Sequence, residues 1–246
     1  MAYKKLLEKQ GYRFTGEHSA VKICGWTKKS LRRKGVCYKE RFYGIKSHLC
    51  VQTSVTTNFC DFDCVFCWRE KYNRPFKKVD APKDIIRKSL EAQKDLLSGY
   101  GGFPEVNRKK LIESQNPKHF AISLTGETLY YPKLNELIKE LHSKNFTTFV
   151  VTNGSQPKIL EKIEPPTQLY LSIDAPNEGL FKKICKPLKK TAWKDLMQSL
   201  KVLKKLKSRT RTAIRITLIK GMNLMHPEKY ADLIKLAEPD FVEVKA

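Results

Sequence analysis

The chain has no apolar stretch of the length that a membrane crossing needs, about 20 consecutive apolar residues for a spanning helix. Its first residues, MAYKKLLEKQ, carry charges with no apolar run behind them, so the pattern of a secretory signal is missing. The expected compartment is therefore the cytoplasm, with no membrane partner. Internal repeats and long low-complexity runs are also absent, which argues against a solenoid. Acidic residues are scarce: 25 Asp and Glu stand against 48 Lys and Arg, a formal net charge of +23. What is there is a chain of 246 residues, enough for one large domain or two modest ones with a substantial core.

Charge speaks to partners rather than to fold. A surplus of this size fits either a solubility device (or adaptation to a hot-living source) or a surface for nucleic acid, whose phosphates reward cations through counterion release. The first fifty residues sharpen the second reading, with thirteen Lys and Arg against three Glu. Residues 1–48 read as a basic extension with a short helix at the start, and residues 49–246 as the main domain.

In the main domain apolar, strand-like runs at 49–57, 119–125, 147–152, 168–174, 213–219 and 241–245 alternate with helical patterns at 83–98, 132–144, 156–163, 191–207 and 227–237. Such alternation predicts βαβ units and a parallel sheet. The runs also alternate in polarity. Leu169, Leu171 and Ile173 oppose Tyr170, Ser172 and Asp174; Ile214, Ile216 and Leu218 oppose Arg215 and Thr217; Val242 and Val244 oppose Glu243 and Lys245. A doubly wound sheet is covered by helices on both faces and is apolar on both. One polar face, strand after strand, predicts a barrel or partial barrel with helices outside and a polar cavity within, its site at the C-terminal strand ends.

Directly after the first of these strands comes C-D-F-D-C-V-F-C-W-R (60–69), with Cys60, Cys64 and Cys67 in C-x3-C-x2-C spacing. Cysteines in a cytosolic chain are more often ligands or catalysts than disulfides. One reading is a structural zinc site, which needs a fourth ligand such as Cys50 or His48. The other is a four-iron cluster held by three thiolates, whose fourth iron stays open. The spacing, with Phe66 before the last cysteine, resembles the signature of the radical S-adenosylmethionine (SAM) superfamily. The resemblance implies an α/β fold, a partial (β/α)6 radical SAM barrel with the basic N-terminal extension, and a [4Fe-4S] cluster whose open iron chelates SAM so that one electron cleaves it. It also implies SAM contacts at the strand ends: Thr125, Gly126 and Glu127, where the superfamily usually has Gly-Gly-Glu; Asn153 in VTNG; Ser172 and Asp174, placed for ribose hydroxyls; and Arg215 and Thr217. Read singly, each has a structural alternative, since a TNG turn is common and an Asp after a strand is often a helix cap.

Cys24, Cys37 and Cys50 stand in C-x12-C-x12-C spacing, which no common zinc finger shows. Cys50 opens the first strand, at the end opposite Cys60. A ten-residue strand spans roughly 30 Å, so a second metal site is a simpler account than one shared site; three unrelated buried thiols are the plain alternative. Together with I-S-L-T-G-E (122–127), V-T-N-G (151–154), S-I-D-A-P (172–176) and R-I-T-L-I-K-G-M-N (215–223), the two cysteine sets resemble the archaeal-type 4-demethylwybutosine synthases, radical SAM enzymes of wybutosine-type tRNA modification. The resemblance extends from residue 24 to residue 223. It implies a second [4Fe-4S] cluster on Cys24, Cys37 and Cys50, and a reaction joining carbons two and three of pyruvate to N1-methylguanosine-37 of tRNA-Phe to give the tricyclic 4-demethylwyosine. It also implies a Schiff-base lysine two residues after the middle cysteine, here Lys39, with Lys34 and Lys46 as competitors.

The basic segments 28–41, 182–190 and 201–211 supply candidate RNA contacts, above all Arg32, Arg33, Lys34, Lys189 and Lys190. The last segment is also the solvated face of a helix that buries Val202, Leu203 and Leu206. A modified base must be splayed out to reach a cavity, and Trp68 is a candidate to stack on it. Cys185, in helical register with Leu180, Phe181 and Ile184, reads as core. The chain ends on its sixth strand where family members continue, and the absence of a flavodoxin-like domain implies a separate electron donor of flavodoxin or ferredoxin type. A monomer is expected. The rival readings are another radical SAM enzyme, such as an activase or a different RNA modifier, and a zinc-dependent RNA-binding protein without catalysis.

Overall fold

A computed structural model describes residues 2–67, 69, 73–74 and 76–245. Among these, one sheet runs through the molecule in the order β1 (Arg13–Phe14), β2 (Ala20–Val21), β3 (Cys50–Ser54), β4 (His119–Ile122), β5 (Thr147–Thr152), β6 (Gln168–Ser172), β7 (Arg211–Thr217) and β8 (Phe241–Lys245). The first three strands pair antiparallel, and β3 to β8 pair in parallel. Each parallel strand lies beside its successor, with no reversal of order. Right-handed crossovers then put every connecting helix on the same side, which curls the sheet into the expected partial (β/α)6 barrel rather than a doubly wound slab.

The helices are α1 (Ala2–Lys9), α2 (Gly25–Leu31), α3 (Tyr38–Tyr43), α4 (Pro82–Leu97), α5 (Arg108–Glu113), α6 (Leu134–Ser143), α7 (Pro157–Glu161), α8 (Glu178–Cys185), α9 (Ala192–Leu206) and α10 (Pro227–Ala237). The outer layer is explained by side-chain period. On α9, Leu196, Leu200, Leu203 and Leu206 recur at helical spacing and are buried, as are Leu134, Leu137, Ile138 and Leu141 on α6. They meet the outward set of strand residues, Val51, Phe120, Ile122, Val150, Leu169, Leu171, Ile214 and Ile216, in one core. The inward set includes Ala121, Phe149 and Tyr170 and, above them, Ser172, Arg215 and Lys245. Alternation in the sequence thus maps directly onto inside and outside.

The first strand was expected to run to residue 57 and stops at Ser54. The Ser54 hydroxyl donates to the Thr125 carbonyl at 2.5 Å and accepts from Thr56 N at 3.2 Å, a local bonding scheme that competes with the ladder. The extension is more ordered than its irregular sequence implied. Its hairpin β1–β2 adds to the edge of β3, with Ala20 opposite Ser54. Two-residue strands are too short to show an alternation.

The hairpin is clamped by Asp80. Its carboxylate accepts from Glu17 N at 2.8 Å, His18 N at 3.1 Å and the Ser19 hydroxyl at 2.7 Å. Burial acts to raise its pKa, but these bonds and the nearby His18 outweigh it and hold the carboxyl below its ordinary value. A depressed folded-state pKa stabilises above the unfolded value and is lost as pH falls through the folded one. Asp80→Asn is therefore expected to cost roughly 2 kcal/mol at pH 7, with the difference from wild type shrinking below about pH 4. Anaerobic thermal denaturation at pH 7 and pH 3 checks this; an equal loss at both would assign the effect to shape rather than charge.

Candidate active site

Two cavities open inside the barrel. The larger, about 420 Å³, lies at the C-terminal strand ends and is lined by Cys60, Cys64 and Cys67 together with Phe66, Gly126, Glu127, Asn153, Ser172, Asp174, Arg215 and Thr217. The smaller, about 150 Å³, lies toward the N-terminal ends and is lined by Cys24, Cys37, Cys50 and Lys39. The two cysteine sets thus line separate cavities. Among the described residues no three His, Cys, Asp or Glu side chains converge on a single metal ion, so each trio is defined by the cavity it lines.

The loop carrying Cys60 to Cys67 is held by backbone bonds. Cys67 N donates to Cys64 O at 3.0 Å in a tight turn, and Asp63 N and Val65 N donate to Cys185 O and Ile184 O at the end of α8. Cys185 is core as read, but it also lines the larger cavity. Opposite, Gly126 has φ +75°, and a Cβ there would stand 1.7 Å from the Thr56 carbonyl oxygen. Only glycine lets the loop after β4 lie against the loop after β3.

Glu127 fastens the ends of β4 and β5. Its Oε1 accepts from Leu129 N at 3.1 Å and the Thr152 hydroxyl at 2.6 Å, and its Oε2 accepts from Asn153 N at 2.8 Å. A carboxylate has about four acceptor positions, so one is left to face the cavity. Burial, reinforced by Asp61, pushes its pKa up to about 7 against those bonds. Asn153 Nδ2 donates to Asp61 Oδ1 at 3.0 Å and lies 4.0 Å from Cys60 Sγ. Asp174 Oδ1 accepts from Thr217 N at 2.9 Å, which ties the ends of β6 and β7, and burial raises its pKa. Thr125 is buried and lines neither cavity, and its carbonyl accepts from the Ser54 hydroxyl.

In the smaller cavity Cys24 and Cys37 occupy the positions before the first turns of α2 and α3, and Cys50 opens β3. Ser47 donates from both N and Oγ to Glu40 Oε2, at 2.7 and 2.5 Å, and its Oγ accepts from Cys37 N at 2.8 Å. Burial raises the Cys37 thiol and pushes Cys50 up to about 12. Such thiols stay protonated until a metal takes the proton's place. Lys39 is buried, with Nζ 4.3 Å from the centre of the Phe149 ring and 4.8 Å from that of Tyr170. Burial lowers its pKa, opposed by the neighbouring Cys50 and Cys37. Its sequence competitors separate cleanly: Lys34 is exposed, and Lys46 is largely exposed with Nζ 3.9 Å from Glu113.

Arg69, Ser123, Val151, Arg215 and Lys245 line both cavities and form the wall between them. Arg69 belongs to the cysteine motif but had no role from sequence, and Lys245 was seen only as an inward residue. Asp61, also inside the motif, was missed as the partner of Asn153 and of the Tyr130 hydroxyl, which donates to it at 3.0 Å.

The RNA candidates divide. Lys189 and Lys190 are exposed just beyond the point where Leu188 N bonds Asp61 O beside the cysteine loop. Arg33 and Lys34 are exposed at the end of α2. Arg32 is half-buried, stacked 4.1 Å over Phe103. In the segment 201–211, Lys204, Lys205 and Lys207 pair with Glu238, Glu161 and Asp240. α9 leads into the start of β7, so these lysines lie at the opposite end from the cysteine loop and serve the helix. Trp68 lies outside the described residues.

The radical SAM superfamily profile matches residues 54–234. An S-adenosyl-L-methionine-dependent tRNA 4-demethylwyosine synthase of Pyrococcus horikoshii is 44% identical over 250 residues, 98% of this chain and 72% of the relative. The chain belongs to the tRNA 4-demethylwyosine synthase family of the radical SAM superfamily. A synthase of that family from Homo sapiens is 41% identical over 99% of this chain, which spans 34% of that longer protein. A solved structure described as TYW1 with a lysine-pyruvate adduct bound superposes with a TM-score of 0.89 at 41% identity, covering 98% of this chain and 78% of that one. Membership in the radical SAM synthase family implies SAM and a [4Fe-4S] cluster. The larger cavity fits them: it presents three thiols, and its size lies in the range of small-molecule sites. Among the described residues no helix is long and apolar enough to cross a membrane.

Proposed function

We propose that this chain joins two carbons of pyruvate to N1-methylguanosine-37 of tRNA-Phe, forming 4-demethylwyosine. The observation that carries the reading is the buried Lys39 among three thiols, one wall away from the cavity of Cys60, Cys64 and Cys67. The relative solved with a lysine-pyruvate adduct supports it. Cys60, Cys64 and Cys67 would hold the SAM cluster, and Cys24, Cys37 and Cys50 a second [4Fe-4S] cluster. SAM on its cluster supplies a radical strong enough to take hydrogen from an unactivated methyl group.

The chain's own residues do the rest. The Lys39 amine, its proton loosened by burial, attacks the keto carbon of pyruvate through its lone pair; the carbonyl oxygen takes up protons and leaves as water, giving an imine. Phe149 and Tyr170 flank the nitrogen and shield it from water. Glu127, Asn153, Ser172, Asp174 and Thr217 orient SAM. Exposed Lys189, Lys190, Arg33 and Lys34 contact tRNA phosphates. A separate flavodoxin- or ferredoxin-type protein supplies the electron, and the enzyme works as a cytoplasmic monomer.

The test is anaerobic turnover of reconstituted protein with SAM, a reductant, pyruvate and tRNA carrying N1-methylguanosine, followed by nucleoside mass spectrometry. The tricyclic base is expected only when pyruvate is present. SAM cleavage with N1-methylguanosine left intact in the complete mixture would overturn the reading in favour of another radical SAM reaction.

A further inference from the structure

The wall between the two cavities is a concentration of positive charge. Of the residues lining both sides, Arg69, Arg215 and Lys245 are cations, and the others are Ser123 and Val151. Glu243 lies against this wall, with Lys245 Nζ at 2.6 Å and Arg215 Nε at 4.0 Å. Arg69 Nη1 donates to the Ser123 carbonyl at 3.1 Å, among its other interactions. The deeper carboxylates of the larger cavity are engaged elsewhere, Glu127 by the β4 and β5 ends and Asp174 by Thr217.

Arg215 is placed there by strand register. It pairs Ser172 of β6 on one side and Glu243 of β8 on the other, and its neighbours Ile214 and Ile216 turn outward into the core. Its Nε is buried and has no hydrogen-bond partner. A buried guanidinium donor with nothing to bond is costly, and its planar fork matches a carboxylate. Arg215 and Lys39 also line the same small cavity, so an anion held between them would meet both.

We infer that Arg215, with Lys245 beside it, binds the carboxylate of the α-keto acid whose carbonyl carbon is captured by Lys39, and so selects acids over neutral carbonyl compounds. The inference rests on the Lys39 reading above. A carboxylate bonded directly to the captured carbon cannot stray far from Nζ in a cavity of about 150 Å³. Arg215 and Lys245 line that same cavity and lie within its reach.

The experiment uses reconstituted protein under anaerobic conditions, with cyanoborohydride to reduce the imine and intact-mass measurement to count adducts. Pyruvate and its uncharged methyl ester are the probes. Arg215→Gln is expected to raise the pyruvate concentration for half-maximal trapping about 10- to 100-fold and to leave methyl pyruvate unchanged. Arg215→Lys, which keeps the charge, recovers part of the loss. Equal shifts for acid and ester would make Arg215 merely structural and overturn the inference. So would unchanged pyruvate trapping with weakened SAM binding, which would move Arg215 to the SAM carboxylate. No adduct with either probe in the wild type sinks the Lys39 reading and this inference with it, whereas a wild-type adduct indifferent to Arg215 sinks the inference alone.

Discussion

Lys39→Ala is expected to lower formation of the tricyclic base at least about a hundredfold while SAM cleavage continues. The loss follows from covalent capture: without the amine, pyruvate must be held in place by contacts alone, and the advantage of a tethered reactant is large. Cleavage persists because Lys39 lines the smaller cavity and not the one that presents Cys60, Cys64 and Cys67. The fold survives, since the change removes a buried cation that is itself costly to hold. Lys46→Ala, at a largely exposed lysine, should behave as wild type. Paired measurement of 5′-deoxyadenosine and of the tricyclic nucleoside decides the matter. Full turnover by Lys39→Ala would falsify the Schiff-base assignment.

The second large effect separates the two cysteine sets. The Cys60/Cys64/Cys67→Ala triple variant should lose SAM cleavage altogether, with iron falling from about eight to about four per chain on the assumption of a four-iron cluster at each site. Cys37→Ala should retain cleavage and lose the product. The asymmetry follows from place: the first set is sewn to α8 at the top of the barrel, and the second sits on α2, α3 and the first residue of β3. Iron and sulfide analysis after reconstitution, beside the same two product assays, gives the answer. Four irons falling to none would leave a single-cluster enzyme, and normal product from Cys37→Ala would remove the second site from the reaction.

Legibility tracked the range of the interaction. The barrel could be read because inside and outside alternate with period two along each strand, as in Tyr170 and Ser172 against Leu169 and Leu171. Cys60, Cys64 and Cys67 stand on one cavity because their spacing lies within one loop, a local quantity. The hairpin clamped by Asp80 could not be read, because it depends on a carboxylate more than sixty residues away from its partners. The cationic wall draws on positions 69, 123, 151, 215 and 245, which only closure of the sheet assembles. Lys204, Lys205 and Lys207 look like an RNA-facing run until the fold supplies their acidic partners.

β3 begins at a cysteine of one set and ends just before the loop that carries the other. From Cys50 to Ser54 it advances four residues, about 13 Å at the usual rise, and it is paired on both edges, by β2 and β4. A strand braced in that way can neither stretch nor slide. It serves as a ruler, fixing through the backbone how far the first residue of β3 stands from the start of the loop that carries the other cysteine set.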